Sequence, residues 1–178
     1  TLVVTAHVIF DDSFQNKWNV SSSAALSFST DQYYDGTVSL RYSSVRYGFY
    51  VYRTNSDSSV FDPVGSGYTH FEFKARIGAT DKQSSFLLTS KIHPFVTVAN
   101  VDISSPVYSN EQPTTADRWS VFRVPLSDLG LVAGMNLDGI FIMHGGDMLL
   151  DSYYDGIQFA SYTSSMKFYY DNLFFSVY

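Results

Sequence analysis

The segment Phe71-Glu72-Phe73-Lys74-Ala75-Arg76-Ile77 alternates apolar and charged residues without a break. Side chains along an extended strand point to opposite faces in turn. This period therefore predicts a strand with Phe71, Phe73, Ala75 and Ile77 inward and Glu72, Lys74 and Arg76 toward water. The same period recurs along the chain, and a helical period is almost absent. It predicts strands over Val38 to Tyr42, Tyr47 to Arg53, Ser85 to His93, Ser120 to Pro125, Gly139 to His144 and Gly156 to Tyr162. Asp35-Gly36 and Asp155-Gly156 mark turns, and Leu126 to Leu131 reads as one short turn with Ser127 as its cap. Segments 56–67 and 100–117 read as loops. Many short strands and almost no helix imply an all-β chain, a β-sandwich jelly roll of two antiparallel sheets, as one domain over residues 1–178.

The two ends of the chain sharpen this picture. Val8-Ile9-Phe10-Asp11-Asp12 stands near the start, and the chain closes on Phe168-Tyr169-Tyr170-Asp171-Asn172-Leu173-Phe174-Phe175-Ser176-Val177-Tyr178. Both read as strands with an aspartate in apolar or aromatic company. Such an acid is costly unless it is paired, hydrogen-bonded or bound to a cation. The pattern predicts first and last strands lying side by side, with acids that either share a metal or cap the strand ends. Tyr-Tyr-Asp recurs from Tyr33, Tyr153 and Tyr169 at unequal intervals, which reads as shared turn chemistry and not as a repeat.

Composition narrows the partners. Charged residues are 16% of the chain against 17% aromatic, with 14 Tyr and 15 Phe, a balance that suits surfaces for neutral polar ligands. The net charge is −6 with no basic stripe, which argues against nucleic acid. No apolar run reaches the length of a membrane span and no signal peptide is read, so no membrane partner is expected. With no cysteine, neither disulfide nor thiol chemistry is available. Low charge, abundant Ser, Thr and Tyr, and missing cysteine together suit an extracellular module; Asn19-Val20-Ser21 fits the glycosylation triplet, a pattern that often arises by chance.

The order of these segments resembles the β-jelly-roll carbohydrate-binding modules attached to polysaccharide-degrading enzymes, those of family 11 with relatives in families 4, 22 and 30. The residues that carry the resemblance are Ile9 to Asp12 with Trp18, Asp35 to Tyr42, Phe71 to Ile77, Arg118 to Leu126 with Leu129, Asp138 to Met143 and the closing Phe168 to Val177. The resemblance spans nearly the whole chain. It implies a structural calcium between the first and last strands and a glycine-bearing turn, with Asp11 or Asp12, Asp171 and the turn around Asp35 at the ligand positions. The other reading of the same acids is that Asp11 or Asp12 caps a turn and Asp171 bonds backbone.

The resemblance further implies a concave face that holds a glycan. Strand alternation puts Phe49 and Val51 in the core and leaves Tyr50 and Tyr52 on the opposite face. By the same alternation Phe86, Leu88 and Ile92 point in, and Thr89, Lys91 and His93 point out. Tyr47 matches the cleft tyrosine of the resembled modules, and His144 replaces a second cleft aromatic. The expected function is non-catalytic binding of a polysaccharide or oligosaccharide, foremost a β-glucan. Tyrosines would stack on pyranose rings while Arg53, Lys91, His93 and His144 donate hydrogen bonds, and a catalytic domain could be attached.

Two enzyme readings compete. A small jelly-roll xylanase needs two facing glutamates about 5 Å apart. The chain has only Glu72, on an outward strand face, and Glu111, in a loop. A jelly-roll polysaccharide lyase uses His and Tyr, and Lys91-Ile92-His93 is similar to one of its strands, but its arginine-bearing and terminal tyrosine motifs are missing. A third class is a secreted wall-matrix or adhesion protein with no sugar site. His7, His70, His93 and His144 are too dispersed in sequence to indicate a transition-metal site.

Overall fold

A computed structural model describes residues 5–21, 26–42, 48–53, 60–77, 84–103, 107–109, 118–146, 150–154, 157–160 and 168–178. The described residues form strands and turns, without helix. In chain order the strands are β1 (His7–Asp11), β2 (Ser13–Phe14), β3 (Trp18–Val20), β4 (Leu26–Ser29), β5 (Ser39–Tyr42), β6 (Gly48–Arg53) and β7 (His70–Ile77). They continue with β8 (Ser84–Ile92), β9 (Val96–Asp102), β10 (Trp119–Pro125), β11 (Leu137–Gly146), β12 (Leu150–Tyr154), β13 (Ile157–Ala160) and β14 (Phe168–Ser176).

These strands make two main sheets, antiparallel throughout. In the seven-stranded sheet the order is β10-β7-β14-β1-β2. The far edge of β14 is shared, because its Phe168–Tyr170 end pairs with β5, which in turn carries β4. The five-stranded sheet runs β3-β6-β11-β8-β9, and β12 and β13 form a hairpin apart. The first and last strands are neighbours, with His7 opposite Phe175 and Val8 opposite Phe174. The core between the sheets holds Phe10, Phe71, Phe73, Phe122, Tyr170 and Phe175 from one side and Phe49, Val51, Leu88, Ile140 and Ile142 from the other. Each comes from an alternate position of its strand. The register is firm because a one-residue slip would turn the whole apolar set to solvent.

Three sequence expectations need correction. Glu72 and Lys74 point away from the core, yet both are buried: β7 is a central strand, and neighbouring side chains cover its outer face. Arg123 Nε donates to Glu72 Oε1 at 2.8 Å, and the Lys74 ammonium lies 4.6 Å from the Phe174 ring centroid. Residues 96–102 form β9, where no strand was expected and a loop was expected to open at Asn100. The three Tyr-Tyr-Asp copies do not share one turn chemistry: Tyr34 and Asp35 lie in a turn, whereas Tyr169, Tyr170 and Asp171 lie within β14. Two copies meet directly, because Asp171 Oδ2 accepts the backbone N–H of Tyr34 at 2.8 Å and of Asp35 at 3.3 Å.

Candidate functional site

The outer face of the five-stranded sheet collects two rows of side chains by register alone. Tyr50 faces Phe141, which faces Thr89, which faces Asn100. In the next row Tyr52 faces Gly139, which faces Lys91, which faces Thr97. The Tyr50 ring stacks on Phe141 at 4.5 Å and 24°, and on Tyr52 at 5.7 Å and 17°. Phe95, at the turn between β8 and β9, meets it edge-on at 5.2 Å. Four rings from three parts of the chain thus make one aromatic cluster, each pair in a geometry that aromatic quadrupoles favour.

Gly139 makes this possible. A Cβ there would stand 2.5 Å from two carbons of the Tyr50 ring and would collide with the Val51 carbonyl. The absent side chain lets Tyr50 lie flat across β11. The turn that carries Phe95 is held just as firmly. Phe95 has φ 62, a left-handed conformation uncommon for a large residue, and its N–H donates to Asp138 Oδ2 at 2.8 Å. Asp138 Oδ1 lies 3.4 Å from His93 Nδ1.

The floor of this face is deep. Tyr50, Leu87, Thr89, Lys91 and Met143 all point outward and are all buried. Tyr50 was expected as an open stacking platform; it is the base of the cluster, because Tyr52, Phe141 and Phe95 lie against it. Burial, with the Asp138 charge second, pushes its phenol far above the ordinary range. Its hydroxyl is buried and has no hydrogen-bond partner among the described residues. Lys91 is likewise not an open donor. Its Nζ donates to Thr97 Oγ1 at 2.6 Å and lies over the Phe95 ring at 4.7 Å. The accessible rim is Tyr52 and Phe141, both half-buried, with Phe95 and His93 exposed.

Arg53 does not join this face. It follows Tyr52 and so points to the opposite side, where its guanidinium sits 5.3 Å from the Phe61 ring centroid. Tyr47 lies outside the described residues. For His144 only the backbone is described, paired with Phe86. Sequence reasoning missed Phe141, Phe95 and Asp138. Phe141 was within reach, since the alternation that put Ile140 and Ile142 in the core puts Phe141 beside Tyr50. Phe95 and Asp138 left no such signal, because turn and bulge geometry aims them.

The acids at the ends form a second arrangement. Asp12 Oδ1 accepts the N–H of Thr37 at 2.7 Å and of Val38 at 2.6 Å, and these bonds hold its carboxyl below the usual range. Asp171 is wholly buried and accepts N–H groups from Tyr34, Asp35 and Asn172. Burial dominates there and raises its pKa, and the nearby Asp12 charge adds to the rise. Asp35 accepts the N–H of its neighbour Gly36, and Asp11 is exposed at the end of β1. Asp12 and Asp171 therefore converge on the 34–38 turn, while Asp11 stands apart. In kind these carboxylates fit calcium, which takes hard oxygen ligands. Among the described residues no group of three or more acidic or imidazole side chains is placed to hold a metal, so further ligands would be carbonyls or water.

No family model matches the sequence, and no curated protein matches it. Solved structures do share the architecture. The family 30 carbohydrate-binding module of the cellulosomal cellulase Cel9D-Cel44B of Clostridium thermocellum is 14% identical, with 98% of each chain covered and a TM-score of 0.54. The family 11 module of the cellulosomal cellulase Lic26A-Cel5E of the same organism is 13% identical, covering 99% of this chain and 97% of that one, with a TM-score of 0.50. A β-1,2-glucanase from Parabacteroides distasonis is 13% identical with a TM-score of 0.57; the match covers 96% of this chain and 25% of that one. The chain shares the β-sandwich jelly-roll fold of these structures.

Proposed function

We propose that the chain is a non-catalytic module that binds a neutral polysaccharide, foremost a β-glucan, across the outer face of the five-stranded sheet. The observation that carries the reading is the Tyr50 hydroxyl, buried at the base of the ring cluster without a hydrogen-bond partner among the described residues. A buried hydroxyl left unpaired costs free energy that a ligand hydroxyl would recover where binding shifts the covering rings. Around it Tyr52 and Phe141 offer ring faces for the apolar faces of pyranoses, and His93 and Asp138 at the rim offer polar groups, the combination that orients a bound sugar. The cellulase and β-glucanase names of the structures sharing this fold support a β-glucan, an attached catalytic domain and an extracellular setting. No helix among the described residues is long and apolar enough to cross a membrane. Against an acid–base pair of glutamates stands Glu72, engaged by Arg123 on the other sheet.

Calorimetric titration with soluble β-glucans tests this. Tyr52→Ala should weaken binding about tenfold through the lost stacking surface. Tyr50→Phe should weaken it by a similar factor while leaving the melting temperature unchanged or slightly raised, since the hydroxyl it deletes has no partner among the described residues. Unchanged affinity in both variants would overturn the assignment. We further propose that Asp12 and Asp171 hold a calcium ion, which would tie the 34–38 turn to both ends of the chain. A wholly buried carboxylate is the kind of group a cation stabilises.

A further inference from the structure

The outer face of the seven-stranded sheet, opposite the proposed glycan face, is also built from rings and polar groups. Register lines up Arg123, Glu72 and Phe174 in one row and Pro125, His70 and Ser176 in the next. Beside them lies a groove of about 520 Å³ lined by His70, Tyr108, Ser109, Val121, Arg123 and Pro125. Tyr178 stands beside the groove, 67% exposed, and packs against two of its lining residues. Its ring lies 3.6 Å from the Arg123 guanidinium carbon, its edge meets His70 at 5.3 Å, and its N–H donates to Thr69 Oγ1 at 2.8 Å. Arg123 is itself locked, since its Nε donates to the buried Glu72 carboxylate.

We propose that this groove is a second saccharide-binding site, taking a short neutral oligosaccharide with Tyr178 as its aromatic platform. The ring, the guanidinium and the carboxylate are already packed together, so little side-chain freedom is lost on binding. The lining pairs apolar Val121 and Pro125 with donors and acceptors from His70, Tyr108, Ser109 and Arg123, as an amphipathic sugar ring requires. Charge sets the class. Glu72 takes up Arg123, Tyr108 donates to the Asp128 carboxylate at 2.9 Å, and Lys74 stands opposite Val121 on the same face, so these acids and cations balance and favour a neutral sugar. Burial, with Arg123 second, lowers the His70 pKa, and its Nδ1 is engaged with Thr69 Oγ1 at 2.8 Å. About 14 Å further along β10, four residues at about 3.4 Å each, Trp119 meets Tyr34 edge-on at 5.9 Å, a second aromatic pair in line with an extended chain.

The site is independent of the first, and one titration keeps the two apart. Cellohexaose, xylohexaose and mannohexaose are added to isotope-labelled wild type, Tyr52→Ala and Tyr178→Ala, and backbone amide shifts are followed. With at least one probe, shifts at His70, Tyr108, Arg123 and the Thr69 region should appear in wild type and persist in Tyr52→Ala. In Tyr178→Ala they should require about tenfold more ligand. No shift in this groove with any of the three probes, or identical titrations in wild type and Tyr178→Ala, overturns the site. Concentration-dependent self-association lost in Tyr178→Ala, without saccharide shifts, would assign the face to a second copy of the chain and also overturn it.

Discussion

His7 ties a packing joint between the two sheets to pH. Its Nε2 accepts the Trp18 indole N–H at 3.0 Å and its ring stacks on Phe61 at 4.3 Å, joining β1 of one sheet to β3 of the other. Burial, with the Arg53 charge second, lowers its pKa from 6.5 to about 4. The unfolded chain therefore takes the proton first. Stability is fully present above about pH 6.5, falls as pH drops toward 4, and is lost below the folded value. Protonation also turns the accepting nitrogen into a donor and breaks the Trp18 bond. Allowing for the part of the ring that water still screens, the effect is about 1–2 kcal/mol, a fall of roughly 2–8 °C in melting temperature. Melts of wild type and His7→Gln from pH 7 to 4 should differ in slope, the variant being flatter because an amide accepts the indole N–H without titrating. Parallel curves would contradict this. Nothing in the sequence around His7 announced the role; its partners lie on β3 and in the loop after β6. Arg53, by contrast, was legible: alternation that exposes Tyr52 must turn Arg53 to the other side.

At the scale of the strand, β11 determines the proposed site. Gly139→Ala would drive a methyl group into the Tyr50 ring and the Val51 carbonyl. The expected cost is about 1–3 kcal/mol with weakened β-glucan binding, because Tyr50 must leave its stack on Phe141. A variant that melts and binds like wild type would show that the ring has room to move. Period-2 alternation made β6, β7, β10 and β11 readable, along with the facing of Phe49, Val51, Ile140 and Ile142. It could not report cover. Glu72, Lys74, Thr89 and Lys91 lie on the faces expected of them and are nonetheless buried, since neighbouring strands and turns supply ring and polar partners that no local pattern encodes. It also failed on β9, where Val96-Thr97-Val98 and Ala99-Asn100-Val101-Asp102 each alternate but the bulge opposite Ser90 and Lys91 breaks the period between them.

At the scale of the whole molecule, the order of segments carried more than any single motif. Terminal strands that pair, and acids that converge beside them, were readable because Asp171 is out of place within β14 and Asp12 follows β1 directly, in the turn to β2. What those acids hold depends on the 34–38 turn, which the sequence marked only as Asp35-Gly36. Asp171→Ala strips an acceptor from three backbone N–H groups and should cost about 3 kcal/mol, or roughly 6–12 °C. If calcium is bound as well, purified protein contains it and EDTA lowers the melting temperature of wild type but not of Asp171→Ala. Metal-free protein whose melt ignores both EDTA and added calcium would contradict the ion and leave the hydrogen-bonding role intact. The central claim, that the outer face of the five-stranded sheet receives a glycan, is tested most directly by a crystal structure with a mixed-linked β-glucan oligosaccharide. The account predicts pyranose rings against Tyr52 and Phe141 and a sugar hydroxyl within hydrogen-bond reach of the Tyr50 phenol. An oligosaccharide bound elsewhere, with that hydroxyl still unpartnered, would contradict it.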